Sequence, residues 1–283
     1  MSPITGDAAA TFGARLHAAV AERGPLCAGI DPHAALLREW GLDDDVAGLE
    51  RFALGAVEGL APHVSVVKPQ SAFFERFGSR GIAVLERVVA ASRAAGALVL
   101  LDVKRGDIGS TSQAYADAYL DPTSPLACDA VTVSPFLGFG SLDPFVDTAR
   151  RHDAGLFVLA LTSNPEGPEV QHARTDDGGT VAGRVLGRLR ALNAGAAPLG
   201  SFGAVVGATI AATDEDLDVN GPLLAHGYGA QGGTADDLRR IFGRAAGAVL
   251  PSSSRGLLAA GPDPRALGDA ARRTNDELAG LRA

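Results

Sequence analysis

Residues 100–108 read Leu-Leu-Asp-Val-Lys-Arg-Gly-Asp-Ile, an apolar strand that ends in a cluster of charges. Asp102 and Lys104 are two residues apart, so on a strand their side chains leave the same face. Asp107 follows Gly106, on the turn that leads into the next segment. A carboxylate beside an ammonium keeps the ammonium charged. We therefore expect a charged centre at the end of this strand. A purely structural ion pair is the alternative.

Short apolar segments of this kind recur along the chain and alternate with segments of helical periodicity. Continuously apolar strands that alternate with helices are typical of a parallel sheet covered by helices. Eight such units predict a (β/α)₈ barrel, with residues 1–283 as one domain, and a doubly wound open sheet is the alternative. The predicted strands are 26–30, 64–67, 97–103, 130–133, 156–161, 204–206, 222–225 and 248–250. The predicted helices are 8–23, 46–60, 80–95, 110–120, 142–152, 180–193, 234–243 and 264–281, with a short acidic helix from Thr213.

The composition excludes several classes of protein. A net charge of −8 argues against a nucleic-acid binder, which usually carries a basic stripe. No apolar run approaches the ~18 residues that a membrane helix needs. The first ten residues lack the pattern of a signal peptide. The two cysteines, Cys27 and Cys128, border apolar runs and are expected to be buried thiols rather than a disulfide. We expect a cytoplasmic protein.

The use of lysine is unusual. Of 25 basic residues only two are lysine, Lys68 and Lys104, and both end apolar strands. Arginine cannot in practice release a proton, whereas lysine can, and its charge is compact. The two lysines are therefore candidates for positions where a guanidinium will not serve. Chance retention on the surface is the alternative.

Polar residues stand at most of the predicted strand ends, where the active sites of such barrels lie. Reading along the chain, these ends carry Asp31, Lys68, Asp102 with Lys104, Ser134, Ser163, Thr209, His226 and Ser254 with Arg255. The long polar loop 164–179 follows the fifth strand and is a candidate lid.

A glycine-rich segment, residues 227–233, follows the seventh strand. Its letters match the dinucleotide fingerprint, but that motif requires an acidic residue about 20 positions later, and none is present there. Barrels often bind a phosphate through the loops after strands 7 and 8. Glycines let backbone N–H groups approach the anion, a helix N-terminus adds a favourable dipole, and Arg255 supplies a charged fork. We expect a phosphate site here, with a merely flexible turn as the alternative.

No metal site is predicted. Residues 214–218 are acidic like a calcium loop, but Val219 occupies the position that requires glycine. The six histidines show no ligand spacing. The acidic residues are better interpreted as the first turn of a helix capped by Thr213.

Four motifs together resemble the orotidine 5′-phosphate decarboxylase family, in its longer, type 2 branch. Residues 102–108 fit its D-x-K-x-x-D-I signature, and segments 67–75, 107–111 and 161–165 support the match. The resemblance spans Asp31 to Arg255. It implies conversion of orotidine 5′-monophosphate to UMP and CO₂ without a cofactor, by a homodimer whose active sites lie at the interface.

The resemblance also implies roles for individual residues. Asp31 and Lys68 would contact the ribose and organise the charges, Asp102 would lie against the substrate carboxylate, and Lys104 would protonate C6. Asp107 and Thr111 would reach into the partner subunit's site. Ser163 would bind the pyrimidine edge, while Gln231 and Arg255 would hold the phosphate. One departure is visible, because His226 stands where the family usually has proline before the glycine-rich loop.

Three rival functions remain open from the sequence. Magnesium-dependent sugar-phosphate decarboxylases and aldolases share the superfamily signature. A Schiff-base aldolase could use Lys104, although flanking carboxylates favour a charged over a nucleophilic amine. A catalytically silent nucleotide-sensing barrel would not need Asp102, Lys104 and Asp107 intact.

Overall fold

Eight parallel strands form one closed barrel in a computed structural model that describes residues 10–210, 213–229 and 232–281. The strands follow one another around the barrel in sequence order, and the last pairs with the first. They are β1 (Cys27–Ile30), β2 (Val66–Pro69), β3 (Leu98–Arg105), β4 (Ala130–Val133), β5 (Gly155–Leu161), β6 (Phe202–Val206), β7 (Leu223–His226) and β8 (Val249–Ser253). The predicted (β/α)₈ barrel is confirmed. That residues 1–283 form a single domain stays a prediction.

Helices connect the strands and surround the barrel. They are α1 (Phe12–Arg23), α2 (Ala34–Glu39), α3 (Val46–Leu60), α4 (Ala72–Glu75), α5 (Gly78–Ala94), α6 (Gly109–Leu120), α7 (Asp143–Arg151), α8 (Pro168–Gln171), α9 (Val181–Leu192), α10 (Ala235–Phe242), α11 (Arg255–Leu258) and α12 (Pro264–Leu278). Short 3₁₀ turns occupy Ala61–His63, Phe139–Leu142, Gly243–Ala248 and Ala279–Leu281. The short helices α2, α4, α8 and α11 were not predicted, because one turn of helix leaves little periodic pattern.

Helix α1 covers the end of the barrel where the strands begin. Its Phe12 ring meets the ring of Phe157 edge-on, with centroids 6.1 Å apart. Gly155 makes this contact possible, because a Cβ there would lie 2.2 Å from the Phe12 ring. Residues of α1 and of the barrel strands together form one buried apolar cluster, Phe12, Leu16, Val20, Cys27, Val66, Leu100, Ala130, Phe157, Val205, Leu224 and Leu250. With this end filled, only the opposite end can open into a site.

The acidic segment 213–220 is not the predicted helix. Arg190 of α9 donates to the backbone carbonyl oxygens of Asp216 and Asp218, at 2.9 and 2.8 Å. Arg244 pairs with the Asp216 carboxylate at 2.8 Å. These arginines come from distant parts of the chain and hold the segment in an irregular path. Tertiary hydrogen bonds and an ion pair thus replace the helix that the local sequence predicts.

The two cysteines are buried as predicted. Burial raises the pKa of both Cys27 and Cys128 to about 12, so both thiols remain protonated and unreactive at neutral pH. In the part of the chain that the structure describes, no helix is long and apolar enough to span a bilayer.

Candidate active site

A cavity of about 520 Å³ opens where the barrel strands end. Most of the eight strands contribute to its wall, either by a last residue or by the loop that follows. Its lining comprises Asp31, His33, Lys68, Gln70, Asp102, Lys104, Thr162, Ser163, Asn164, Val205, Gly207, His226, Gly227, Tyr228, Ser252, Ser254 and Arg255. The cavity is therefore polar and carries both signs of charge.

Asp102 lies between the only two lysines of the chain. Its Oδ2 is 3.0 Å from Nζ of Lys68, and its Oδ1 is 2.6 Å from Nζ of Lys104. The side chains of Lys68 and Asp102 are 3% and 0% exposed, whereas that of Lys104 is 41% exposed. The buried pair thus anchors the network, and Lys104 is the member that is open to a ligand.

The charges in this network fix one another's protonation states. Burial lowers the pKa of Lys68, but the carboxylates of Asp102 and Asp31 outweigh it and hold that pKa above its ordinary value. Burial raises the pKa of Asp102, yet Lys68 and Lys104 hold it well below its usual range. At neutral pH Asp102 is therefore an anion and Lys68 a cation.

An irregularity in β3 places these side chains. Leu101 pairs with Val131, but the next paired residue is Arg105, opposite Val133. An advance of four residues along β3 therefore corresponds to two residues along β4, so β3 contains a bulge. Within this bulge Lys104 adopts a left-handed backbone with φ of 46°, which is costly for a residue with a side chain. Bulges often redirect side chains beside active sites.

The glycine-rich segment after β7 is described at residues 227–229 and 232–233, which backbone hydrogen bonds join to one another. Gly227, Gly229 and Gly232 have φ of 96°, 72° and 89°, which favour glycine, and the amide of Gly229 donates to the Gly233 carbonyl at 2.9 Å. The N-terminus of α10 is closed by its own capping box of Thr234 and Asp237. The Asp237 carboxylate therefore already occupies the N-terminus of α10, where the sequence led us to expect a favourable helix dipole for an anion. The loop amides and Arg255 remain as candidate hydrogen-bond donors to a bound anion.

Three buried polar atoms at the cavity have no hydrogen-bond partner among the described residues: Oδ1 of Asp31, Nε2 of His226 and Oγ of Ser254. Each belongs to a residue of the cavity lining. Burial, and then the charge of Lys68, lower the pKa of His226 to about 3, so its imidazole is neutral at pH 7. Such atoms are available to a bound ligand, since buried polar groups normally find partners.

The predicted site residues fall into three groups. The cavity lining brings together Asp31, Lys68, Asp102, Lys104, Ser163 and Arg255. Asp107 and Thr111 stand outside that lining; Asp107 accepts from the amide of Ile108 at 2.8 Å, and Thr111 is exposed on the first turn of α6. Gln231 lies outside the described residues.

Several lining residues were not singled out from the sequence. Gln70 continues β2 by a bridge to Asp102. Its position two residues after Lys68, on the same face of the strand, is the signal that could have identified it. Loops contribute four more of these residues, His33, Thr162, Asn164 and Tyr228. The sequence pattern does not predict the path of a loop. Among the described residues, no group of three or more His, Cys, Asp or Glu side chains is arranged to hold a metal ion.

Comparison with known proteins decides the family. The model of the orotidine 5′-phosphate decarboxylase / HUMPS family matches residues 24–271. The chain belongs to this family. A Nocardioides sp. orotidine 5′-phosphate decarboxylase is 77% identical over 270 residues, covering 94% of this chain and 98% of the relative.

Solved structures agree with this assignment. The crystal structure of a Streptomyces avermitilis protein aligns with a TM-score of 0.94 at 61% identity, over 100% of this chain and 99% of that one. The structure of Leishmania donovani OMP decarboxylase aligns with a TM-score of 0.74 at 32% identity, over 96% and 99%. The resemblance inferred from residues 102–108 and their neighbouring motifs is thereby confirmed.

Proposed function

We propose that the chain converts orotidine 5′-monophosphate to UMP and CO₂ without a cofactor, as the last step of de novo UMP synthesis. The chain is an enzyme of the orotidine 5′-phosphate decarboxylase family. The observation that carries the proposal is the fixed Lys68–Asp102–Lys104 network on the cavity wall, with Lys104 open to a ligand. A buried anion next to an accessible ammonium suits a reaction in which a carboxylate leaves as CO₂ and the carbon left behind takes up a proton.

The reaction demands strong electrostatic catalysis. When the bond from C6 to the carboxyl group breaks, CO₂ leaves and the electron pair stays on a vinylic carbon with no carbonyl to accept it. Such slow reactions require the largest accelerations, about 15 kcal/mol or more. Acid–base catalysis supplies roughly 10²–10⁴-fold, so preorganised charges must supply much of the remainder.

Lys104 is the proposed source of both charge stabilisation and the proton. Its ammonium, held 2.6 Å from Oδ1 of Asp102, would stabilise the electron pair that develops on C6. The pair then takes a proton from Nζ, which leaves a neutral amine that regains a proton from solvent. Asp102, beside the substrate carboxylate, would favour departure of CO₂ because two anions repel. Lys68 keeps Asp102 ionised and in place.

The remaining cavity residues are proposed to hold the nucleotide. Asp31 offers a buried, unpartnered Oδ1 that could accept from a ribose hydroxyl. Ser163 would bind the pyrimidine edge. Gln231 and Arg255 would bind the phosphate, together with backbone amides of the glycine-rich loop. Phosphate binding away from C6 can contribute to kcat if it drives closure around the substrate.

We propose that the enzyme is a homodimer, with Asp107 and Thr111 completing the partner's site. Asp107 precedes Ile108, which is 62% exposed, and the next loop exposes Phe136 and Leu137, at 74% and 53%. The two loops are neighbours, because a Cβ on Gly106 would lie 2.4 Å from the carbonyl oxygen of Ser134. An apolar surface of this kind beside the cavity supports an interface there. The cytoplasmic location stays a prediction.

The deciding experiment mixes the purified protein, treated with EDTA, with orotidine 5′-monophosphate and measures UMP. We expect UMP to form at the same rate with and without the chelator. Activity that disappears with EDTA and returns with magnesium would favour the metal-dependent sugar-phosphate enzymes. Trapping of a substrate carbonyl on Lys104 by borohydride would favour a Schiff-base aldolase. Nucleotide binding without turnover would favour a sensor.

A further inference from the structure

A threonine behind the charge network makes more contacts to it than its place in the sequence suggests. Thr132 lies on β4, in the run Ala-Val-Thr-Val, and its side chain is fully buried. It is not part of the cavity lining. Its hydroxyl nevertheless touches three groups of β3, all within Asp102 to Lys104.

The hydroxyl of Thr132 uses its whole hydrogen-bonding capacity. Its Oγ1 donates to Oδ1 of Asp102 at 2.7 Å and accepts from the backbone amides of Val103 and Lys104, both at 3.0 Å. A hydroxyl has one hydrogen to donate and two lone pairs to accept with, so all three are engaged. Its orientation is therefore fixed, and so is the direction of the donated bond.

These contacts act at the bulge of β3. Between Leu101 and Arg105 the regular pairing with β4 is interrupted, and the amides of Val103 and Lys104 bond to a side chain of β4. The left-handed backbone of Lys104 is an unfavourable conformation that persists only where the surroundings hold it. Thr132 holds it directly through the Lys104 amide.

The same hydroxyl also orients the carboxylate of Asp102. Oδ1 of Asp102 receives two donors, Nζ of Lys104 at 2.6 Å and Oγ1 of Thr132 at 2.7 Å. Oδ2 receives Nζ of Lys68 at 3.0 Å. Thr132 is the neutral donor of the three, so it orients the carboxylate without altering the net charge. The side chain of Lys104 is thereby held at both ends, at its backbone amide by Thr132 and at its ammonium by Asp102.

We propose that Thr132 is a positioning residue for the decarboxylation, which sets where the Lys104 ammonium stands relative to the reacting carbon. The inference rests on the proposed function and deepens it. A displacement of about 1 Å in a reacting group can cost about 10²-fold in rate. Because Thr132 does not line the cavity, its loss should act on kcat rather than on binding.

The test replaces the hydroxyl while keeping the shape. Thr132→Val should lower kcat about 10²-fold and change KM for orotidine 5′-monophosphate less than about threefold. Thr132→Ser, which keeps the hydroxyl, should retain kcat within about threefold of the parent protein. The affinity for UMP, which lacks the carboxylate and is measured by calorimetry, should change less than about threefold in both variants.

A matched control separates positioning from a general loss of stability. Thr148 is equally buried, on α7, and its hydroxyl accepts from Gln113 at 3.0 Å, remote from the cavity. Thr148→Val should lower the melting temperature and leave kcat unchanged. Should Thr132→Val fail to fold, Thr132→Cys, whose thiol is a weaker donor and acceptor, should show about a tenfold loss of kcat.

Two results from kinetics and binding would overturn the inference. One is a folded Thr132→Val or Thr132→Cys with the parent kcat. The other is a loss of UMP affinity as large as the loss of kcat, which would make the role a general structural one. If the parent protein itself forms no UMP, the proposed function fails instead, and a crystal structure of Thr132→Val still tests whether Thr132 positions Asp102 and Lys104. We expect Asp102 to turn away from Lys104 in that structure, and an unmoved carboxylate would overturn it.

Discussion

The buried ion pair between Lys68 and Asp102 should show a large energetic coupling. Nζ and Oδ2 are 3.0 Å apart and the side chains are 3% and 0% exposed. At an effective dielectric constant of about 20, Coulomb's law gives about 5.5 kcal/mol for such a pair. Removing one partner leaves the other charge buried, which typically costs 3–5 kcal/mol. Because Asp102 keeps Lys104 as a second partner, we expect about 3 kcal/mol for Lys68→Met.

A double-mutant cycle measures this coupling. The free energy of unfolding is determined by urea denaturation for Lys68→Met, Asp102→Asn and the double variant. Each single variant should lose about 3 kcal/mol, and the double variant about 3 rather than 6, since neither charge is then stranded. The cycle thus predicts a coupling of about 3 kcal/mol.

An exposed ion pair provides the control for the cycle. Arg184 and Asp176 are 2.6 Å apart, but their side chains are 50% and 88% exposed. Solvent and salt screen such pairs, so Arg184→Met and Asp176→Asn should be nearly additive. Additive losses for Lys68 and Asp102, within about 0.5 kcal/mol, would refute the interpretation of these residues as one buried network.

Three further predictions concern the phosphate, the imidazole and the dimer. Arg255→Ala should raise KM about 10- to 100-fold with a smaller effect on kcat, as expected for one lost charged hydrogen bond, measured by steady-state kinetics. The pKa of His226 is lowered to about 3 by burial and then by the charge of Lys68, and it returns to about 6.5 on unfolding. The unfolded chain therefore takes up the proton first, and the free energy of unfolding falls as the pH drops below 6.5. Between pH 7.5 and pH 5.0, measured by urea denaturation, His226→Gln should lose about 2 kcal/mol less of this free energy than the parent protein. Mixing inactive Lys104→Ala and Asp107→Ala proteins should restore about a quarter of the parent activity, because half of the randomly formed dimers contain one intact site.

Each of these has an outcome that contradicts it. An unchanged KM in Arg255→Ala would remove Arg255 from the phosphate site. Equal acid sensitivity of the parent protein and His226→Gln would mean that the folded protein does not hold His226 as a neutral imidazole. A mixture that stays inactive after dissociation and reassociation would show that Asp107 serves its own chain's site rather than the partner's.

The barrel could be predicted from the sequence because its signal is periodic and local. Each strand is a short apolar run, and parallel strands place their last residues at one end of the barrel. Asp31, Lys68, Asp102 and Ser163 therefore come together from distant parts of the chain without any knowledge of the structure. The scarcity of lysine marked Lys104 independently of the fold.

What the sequence could not show depends on contacts between distant segments. Thr132 stands in an ordinary strand pattern, and only the bulge of β3 turns its hydroxyl into a partner of Asp102. The acidic residues after Thr213 have helical propensity at a helix start, but Arg190 and Arg244 bind them in another conformation. Neither effect leaves a local pattern, because the partners are separated by 26 residues or more.

Measurement of CO₂ release from orotidine 5′-monophosphate by Lys104→Ala and Lys104→Arg tests the central claim, that Lys104 delivers the proton in a fixed network. The parent protein should release one CO₂ for each UMP formed. Both variants should lose at least about 10²-fold in kcat, since alanine has no proton to give and arginine does not release one. Turnover near the parent rate in Lys104→Ala would contradict the account.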